Sequence, residues 1–332
     1  MNVTLISWYF PSFIGGAEKS ILSELKKYKN KGHNCQVISF DEYYKKGEFN
    51  IEGIKGINIP LKHNVSRYLT IMLKKSFIIK QINKNLKKSN LILTQSFMAP
   101  YVAKIAKNKN IPYNYYLRDE NNLNEFYNYE KGFRYFLKIL KDMFEFIPKK
   151  YYSKNNVFAL KNASKVISNS KFIQQLLFKK YKIKSSIIYP EVDYSKLNKK
   201  LMEKNPKYIT LIGGGNAMKG YDIVLKIAKK LPNEKFLIVG QYKKIKISKN
   251  ITFMPMQKDI MKVYSKTKIL LVPSRWKEAF GRVVLEAQYL GIPVITSNQG
   301  GLPEANKNKN LIIEDLENTP IWIKKIQDVI NK

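Results

Sequence analysis

The segment Pro273-Ser-Arg-Trp-Lys-Glu-Ala-Phe-Gly-Arg-Val-Val-Leu-Glu286, running on through Ala287-Gln-Tyr-Leu-Gly-Ile-Pro-Val-Ile-Thr296, decides the fold. Ahead of it, Lys268-Ile-Leu-Leu-Val272 is an apolar run of strand length closed by Pro273. Behind it, Gly291 and Pro293 mark a helix C-terminus and the start of another strand, Pro293-Val-Ile-Thr296. The predicted order is strand, loop, a helix opening near Phe280, then strand. Glu278 falls in the loop and Glu286 roughly two turns inside the helix. Eight helical residues rise about 12 Å, more than the ~5–9.5 Å between the paired carboxylates of a glycosidase. The two glutamates are therefore poorly placed to attack one bond and well placed to hold two parts of an elongated ligand. Between them the first N–H groups of the helix, near Gly281 and Arg282, favour an anion. Carboxylate, anion hole, carboxylate is the outline of a nucleotide-sugar. An ordinary helix with an acidic residue at each end fits the segment equally well.

Glu278-Ala-Phe-Gly-Arg-Val-Val-Leu-Glu286, followed by Gly291-Ile-Pro-Val-Ile295 and Gly300-Gly301-Leu-Pro-Glu304, resembles the E-x7-E signature of family-4 glycosyltransferases, retaining enzymes of the GT-B fold. The resemblance implies an α/β chain of two Rossmann-like domains facing across a cleft, with the C-terminal helix crossing back to the first. It implies that Glu286 holds the donor ribose and Glu278 the donor sugar, with Phe280, Gly281, Arg282 and Val283 on the donor side.

At 332 residues, 44% of them hydrophobic, the chain is long enough for two domains with separate cores. No apolar run approaches the ~20 residues that span a bilayer. The opening Met1-Asn-Val-Thr-Leu-Ile-Ser-Trp8 reads as a first strand and lacks the charged start of a signal peptide. Cys35, the one cysteine, excludes an internal disulfide, suits a reducing compartment and reads as a small core residue. The net charge is +35, and between Glu52 and Asp119 thirteen Lys or Arg occur without one acidic residue. That block makes a positive surface suited to anionic lipid or nucleic acid. Lys, Asn and Ile are also abundant throughout, so part of the charge is a compositional background.

Taken in order, strand 3–7, the loop containing Gly15-Gly16, a helix over 17–29 and strand 36–40 form a βαβ unit. Gly15 and Gly16 let the backbone approach a ligand; in the resembled family this loop faces the donor phosphates. Residues 66–88 read as one basic helix with Leu69, Met72, Leu73, Ile79, Ile82 and Leu86 on one side. Strands 91–94 and 113–117 end in Gln95-Ser96 and Arg118-Asp119; the latter pair are the acceptor-side candidates, a loop salt bridge being the other reading. Residues 131–162 carry Phe133, Phe136, Leu137, Leu140, Phe144 and Ile147 at helical spacing, read as core ahead of a membrane-docking face. Pro190-Glu-Val-Asp193 marks the domain boundary.

The pattern restarts with strand 208–212, the loop Gly213-Gly-Gly-Asn-Ala-Met-Lys219-Gly220 and a helix over 221–231. The loop fails both the Walker and the dinucleotide glycine patterns. It is similar to the family's G-R-x4-K-G loop, so Lys219 matches the lysine that neutralises the leaving diphosphate. Gly214 stands where that pattern has arginine, with Arg282 a candidate substitute. Met254, in the Phe253-Met254-Pro255 turn that closes strand 251–254, is the nucleobase contact the resemblance implies, packing being the alternative.

The expected organisation is an acceptor-side domain over 1–190, a nucleotide-sugar domain over 191–318 and a terminal helix over 319–332 packing toward the first domain. The expected activity is transfer of a sugar from a nucleotide donor, UDP before GDP, to a hydroxyl of a lipid-linked or cell-surface glycan. Glu278, Lys219 and Asp119 are the catalytic candidates. No cofactor is expected, the nucleotide-sugar being a co-substrate. No Asp-x-Asp or histidine cluster offers a metal site, which leaves Lys219 and helix-terminal amides to stabilise the leaving group. The expected setting is cytoplasmic, on the anionic inner membrane face, without nucleic acid. A sugar-nucleotide epimerase of the same fold and a basic nucleic-acid-binding protein are the alternatives; the first lacks assignable acid/base residues here, the second leaves E-x7-E unexplained.

Overall fold

Two parallel sheets organise the chain, each built outward from a strand that ends in a glycine-containing loop. The computed structural model describes residues 1–12, 15–63, 65–86, 88–123, 132–214, 217–240 and 249–331. The main division into two units falls between Glu191 and Val192.

In the first unit β1 (Asn2–Ser7) leads through α1 (Gly16–Asn30) to β2 (Asn34–Ser39), parallel to it from Asn2↔Asn34 to Ser7↔Ser39. A hairpin that the sequence analysis missed follows, β3 (Gly47–Ile51) and β4 (Ile54–Asn58). Its two turn residues, Glu52 and Gly53, have φ of 50° and 78°, the doubly positive pair whose twist suits adjacent strands. Phe49, Ile51 and Ile54 are buried with Val3, Leu5 and Leu25. Then come α2 (Arg67–Leu73), α3 (Lys75–Asn85), β5 (Leu91–Gln95), α4 (Ala99–Lys109), β6 (Tyr113–Leu117), α5 (Phe133–Phe144), α6 (Phe146–Asn162), β7 (Lys165–Ser168), α7 (Lys171–Tyr181) and β8 (Ser186–Ile187). The strand order is β3-β4-β2-β1-β5-β6-β7-β8.

Two expectations for this unit are corrected. The single basic helix over 66–88 is two helices, because Lys74 leaves helical geometry (φ −93°, ψ 20°). The break shifts the helical phase, so Ile71, Ile78, Ile82 and Leu86 are buried and Leu73 faces solvent; Lys87 lies outside the described residues. The apolar stripe over 131–162 is not core: Phe133, Phe136, Leu137, Leu140, Phe144 and Ile147 are all exposed.

The second unit runs β9 (Tyr208–Gly214), α8 (Tyr221–Lys230), β10 (Lys235–Gly240), β11 (Ile251–Met254), α9 (Met261–Tyr264), β12 (Thr267–Val272), α10 (Arg282–Tyr289), β13 (Val294–Ser297), α11 (Leu302–Ala305), β14 (Ile312–Ile313) and α12 (Thr319–Ile330). The sheet order is β11-β10-β9-β12-β13-β14, every pairing parallel. Successive residues of a strand face opposite sides, and here both sides are covered. Ile269 and Leu271 of β12 pack with Ile223, Ile227 and Trp322, while Leu270 and Val272 pack with Val284, Leu290 and Leu302. The helix expected to pack toward the first domain, α12, buries Trp322 and Ile326 in this unit's own core.

Candidate active site

Each sheet reverses its strand order at one point, between β1 and β5 in the first unit and between β9 and β12 in the second. Open parallel sheets bind ligands beyond the carboxyl ends of their strands at such a point. The loops that leave these strands carry the candidate residues.

In the second unit the loop after β9 is fastened to the loop after β12. The amides of Arg275 and Trp276 donate to the Met218 carbonyl at 2.9 and 3.1 Å. The Arg275 guanidinium forks onto Asp222 at 2.6 and 2.9 Å and donates to the Ala217 carbonyl at 2.9 Å. Gly220 lies so close to Pro273 that a Cβ there would stand 1.9 Å from its carbonyl oxygen. This fastening brings the Lys219 ammonium into a short hydrogen bond with Glu278 Oε1. Ser274 Oγ donates to the same oxygen at 2.8 Å, and Lys219 Nζ lies 4.8 Å from the Trp276 ring centre.

Gly300 and Gly301 form the floor of this loop. A Cβ on either would come within 2.4 Å of a backbone oxygen, that of Glu278 or of Ala279, and the Gly301 amide donates to the Glu278 carbonyl at 2.6 Å. Helix α10 starts at Arg282, with Gly281 as its N-cap. Glu286 therefore lies about one turn inside it and not two. The helix closes as expected at Gly291, whose φ is 81°. The amides of Ile292 and Gly291 return to Ala287 and Gln288 at 2.9 and 3.1 Å, the paired bonds of a Schellman motif. Phe280 is buried in the core and Val283 packs beside it.

Two described side chains meet the Glu286 carboxylate. Arg282 Nη2 stands 3.9 Å from Oε1, and Tyr264 donates its hydroxyl to Oε2 at 2.8 Å. Burial first, and then the charge of Glu286, push the Tyr264 phenol well above its ordinary value, so it remains a donor. Sequence reasoning missed Tyr264, Ser274 and Arg275. Tyr264 sits 22 positions from its partner, outside any motif, whereas Ser274 and Arg275 lay inside the quoted segment and were given no role.

Gly214 is packed as part of β9. A Cβ there would lie 2.3 Å from Ile238 Cγ2, so an arginine would fit only if Ile238 moved. Met254 ends strand β11, paired with Val239, and does not lie in a turn. It packs beside Leu237, Val239 and Val263. Gly215 lies outside the described residues.

In the first unit Gly15 is the N-cap of α1, Gly16 its first residue and Glu18 its third. Glu18 is buried, and Gln95 Nε2, at the end of β5, reaches its Oε1 at 3.4 Å. Arg118 and Asp119 follow β6; Arg118 is buried with its guanidinium carbon 5.0 Å from the Tyr116 ring centre. Sequence reasoning gave Glu18 no role. Burial pushes its carboxyl up to about 7, against the opposing pull of the Glu18 and Gly15 amides, with Asp119 raising it further and Arg118 lowering it. The folded protein thus keeps this proton to about pH 7 and the unfolded chain only to its ordinary 4.5, so stability falls as pH rises through that interval. The full effect is roughly 3 kcal/mol. Glu18→Gln, which does not titrate, is expected to gain stability relative to the parent between about pH 5 and about pH 8. A melting-temperature difference constant across that range would remove the charge effect.

Comparison with known proteins bears on both units. Residues 194–332 match the family model described as glycosyl transferases group 1. An uncharacterised 42.6 kDa protein in the cps region of Klebsiella pneumoniae is 27% identical over 92% of this chain and 88% of its own length. The D-inositol 3-phosphate glycosyltransferase of Mycobacterium sp. (strain KMS) is 33% identical over 114 residues, which span 29% of this chain and only 26% of that protein. Among solved structures, sucrose-phosphate synthase from Thermosynechococcus elongatus superposes with a TM-score of 0.76 at 17% identity, over 100% of this chain and 90% of that one. Anabaena HepE in complex with UDP-glucose gives 0.70 at 16% identity, over 99% and 90%. Residues 194–332 thus match the glycosyl transferases group 1 family, and the two Rossmann-like units of the chain have the GT-B fold.

Proposed function

We propose that the protein transfers a sugar, with retention and without a metal, from a UDP-sugar to a hydroxyl of a lipid-linked or cell-surface glycan. The observation that carries this reading is the Lys219–Glu278 pair at the β9/β12 switch point. One ammonium and one carboxylate, in loops fastened by Arg275 and Gly220, suit a ligand with a diphosphate beside a sugar. Lys219 neutralises the charge that grows on the departing diphosphate. Glu278, released from Lys219, accepts hydroxyls of the sugar. Glu286, already oriented by Tyr264, accepts the two ribose hydroxyls, and the amides at Gly281 and Arg282 add to the anion site. In the first unit, Arg118 and Asp119 meet the acceptor. Support for a UDP-sugar comes from HepE, solved with UDP-glucose.

Peripheral attachment to an anionic membrane belongs to the same proposal. Total charge does not single out the first unit: residues 1–190 hold 34 basic and 12 acidic residues, residues 191–332 hold 26 and 13. The contrast lies in the acid-free block 53–118, with its thirteen basic residues, each contributing about 1 kcal/mol toward anionic lipid when close to it. A thermal-shift series over UDP- and GDP-sugars tests the donor. A UDP-sugar at about 100 times its Kd is expected to stabilise the chain by ~2.7 kcal/mol. If no nucleotide-sugar or nucleoside diphosphate moves the transition, the chain is not this enzyme.

A further inference from the structure

Helix α5 is amphipathic with its polarity reversed. Phe136, Leu140, Met143, Phe144 and Ile147 recur at the spacing of one helical face, and the face continues across the α5–α6 junction. There the Glu145 amide bonds the Lys141 carbonyl and the Lys149 amide bonds the Glu145 carbonyl, at 2.9 and 2.8 Å. In a globular protein such a stripe faces the core. Here Phe136, Met143 and Ile147 are 54%, 70% and 69% exposed.

The polar face is the one held by the protein. Glu145 is buried. Lys149 Nζ lies 3.1 Å from its Oε2 and 2.6 Å from Asp142 Oδ1. Lys138 bonds the same Asp142 oxygen, and Lys149 stands 5.6 Å from the centre of the Tyr68 ring on α2. These ion pairs run along one side of α5 and α6, and the Lys149–Tyr68 contact turns that side toward α2, which leaves the apolar stripe facing outward.

We infer that this outward stripe is a membrane-insertion face, which enters the interface of an anionic bilayer and anchors the first unit there. The inference rests on the peripheral-membrane reading above and goes beyond it by naming an apolar contact where that reading had only charge. Charge decides the occupant. Two copies of a chain with a net charge of +35 repel one another, whereas an anionic lipid surface attracts each of them. A cation borders the stripe, with Lys150 Nζ 6.0 Å from the Phe146 ring centre, and more lie farther along α6, where Lys107 of α4 stands over Phe158. Twelve residues of α5 make a rod of about 18 Å, too short to span a bilayer. Among the described residues no helix is long and apolar enough to cross one. Such a helix lies in the plane of the interface, its apolar face sunk into the acyl boundary.

The test uses the full chain and vesicles of phosphatidylglycerol with phosphatidylcholine. The double variant Phe136→Ser, Leu140→Ser changes two exposed side chains and leaves the ion-pair network intact, so its melting temperature should equal the parent's. The parent is expected to cosediment with these vesicles and to keep part of that binding at about 1 M salt, where the Debye length is ~3 Å. The double variant is expected to bind at least about tenfold more weakly. Met143→Trp is expected to shift its emission to the blue on adding vesicles. Parental binding by the double variant, lost in salt, overturns the insertion face and leaves the electrostatic reading standing. A parent that ignores anionic vesicles overturns both. A parent dimer that the double variant converts to monomer assigns the stripe to a second copy and overturns the inference.

Discussion

Lys219→Ala is expected to lower turnover by about two orders of magnitude, with a smaller change in the KM for donor. Removing one preorganised donor from a developing anion costs about 2.7–4 kcal/mol in related settings, and the diphosphate charge is largest in the transition state. The substitution also leaves Glu278, whose side chain is 13% exposed, without its ammonium partner, although Ser274 still donates to it. A stability change is therefore to be separated from a catalytic one. Lys219→Arg restores the charge without the compact ammonium and should recover stability before it recovers rate. Single-turnover kinetics under saturating donor make the comparison. Turnover within a factor of two of the parent in Lys219→Ala would assign leaving-group stabilisation to another cation, with Arg282 the first to examine.

Glu286→Ala is expected to weaken binding of UDP more than tenfold while the fold survives. Two charge-assisted bonds to ribose hydroxyls contribute roughly 1.5–3 kcal/mol each. The Tyr264 hydroxyl, buried and held as a donor, would lose its partner in the variant. Tyr264→Phe should therefore weaken UDP by a smaller factor, since it loosens the carboxylate without removing it. Titration calorimetry with UDP reads both. Equal affinity in parent and Glu286→Ala would take this carboxylate out of the donor site.

Much of the second unit was legible because its signals are local. Gly291 sits where a helix must turn left-handed, β12 ends in the apolar run Ile269-Leu-Leu-Val272, and Gly300-Gly301 packs under Glu278. The missed parts depend on partners remote in sequence. Nothing near Tyr264 announces that its hydroxyl meets a carboxylate on another element. The β3–β4 hairpin was hidden because Glu52-Gly53 is not among the strongest turn pairs and its strands are short. Helix α5 defeated the periodicity rule itself, since spacing reports that a face is apolar and not which way it points. The side turned inward carries Lys149, which meets Tyr68, a residue of a different helix. The break at Lys74 was invisible for a similar reason: lysine is a good helix former, and tertiary packing overrode it.

The strand order of the second sheet also governs when the site comes into being. Lys219 and Glu278 are 59 positions apart, and the strands that carry them, β9 and β12, are direct neighbours. A chain growing at ~5–20 residues per second makes the lysine several seconds before the glutamate exists to receive it. Pairings of such long range carry a large loop-closure entropy and form late. Until β12 docks beside β9, neither Gly220 nor Arg275 has its partner, and the loops have no fixed geometry. On the proposed reading, donor affinity thus requires the finished second unit, and a nucleotide-sugar selects fully assembled chains from those still folding.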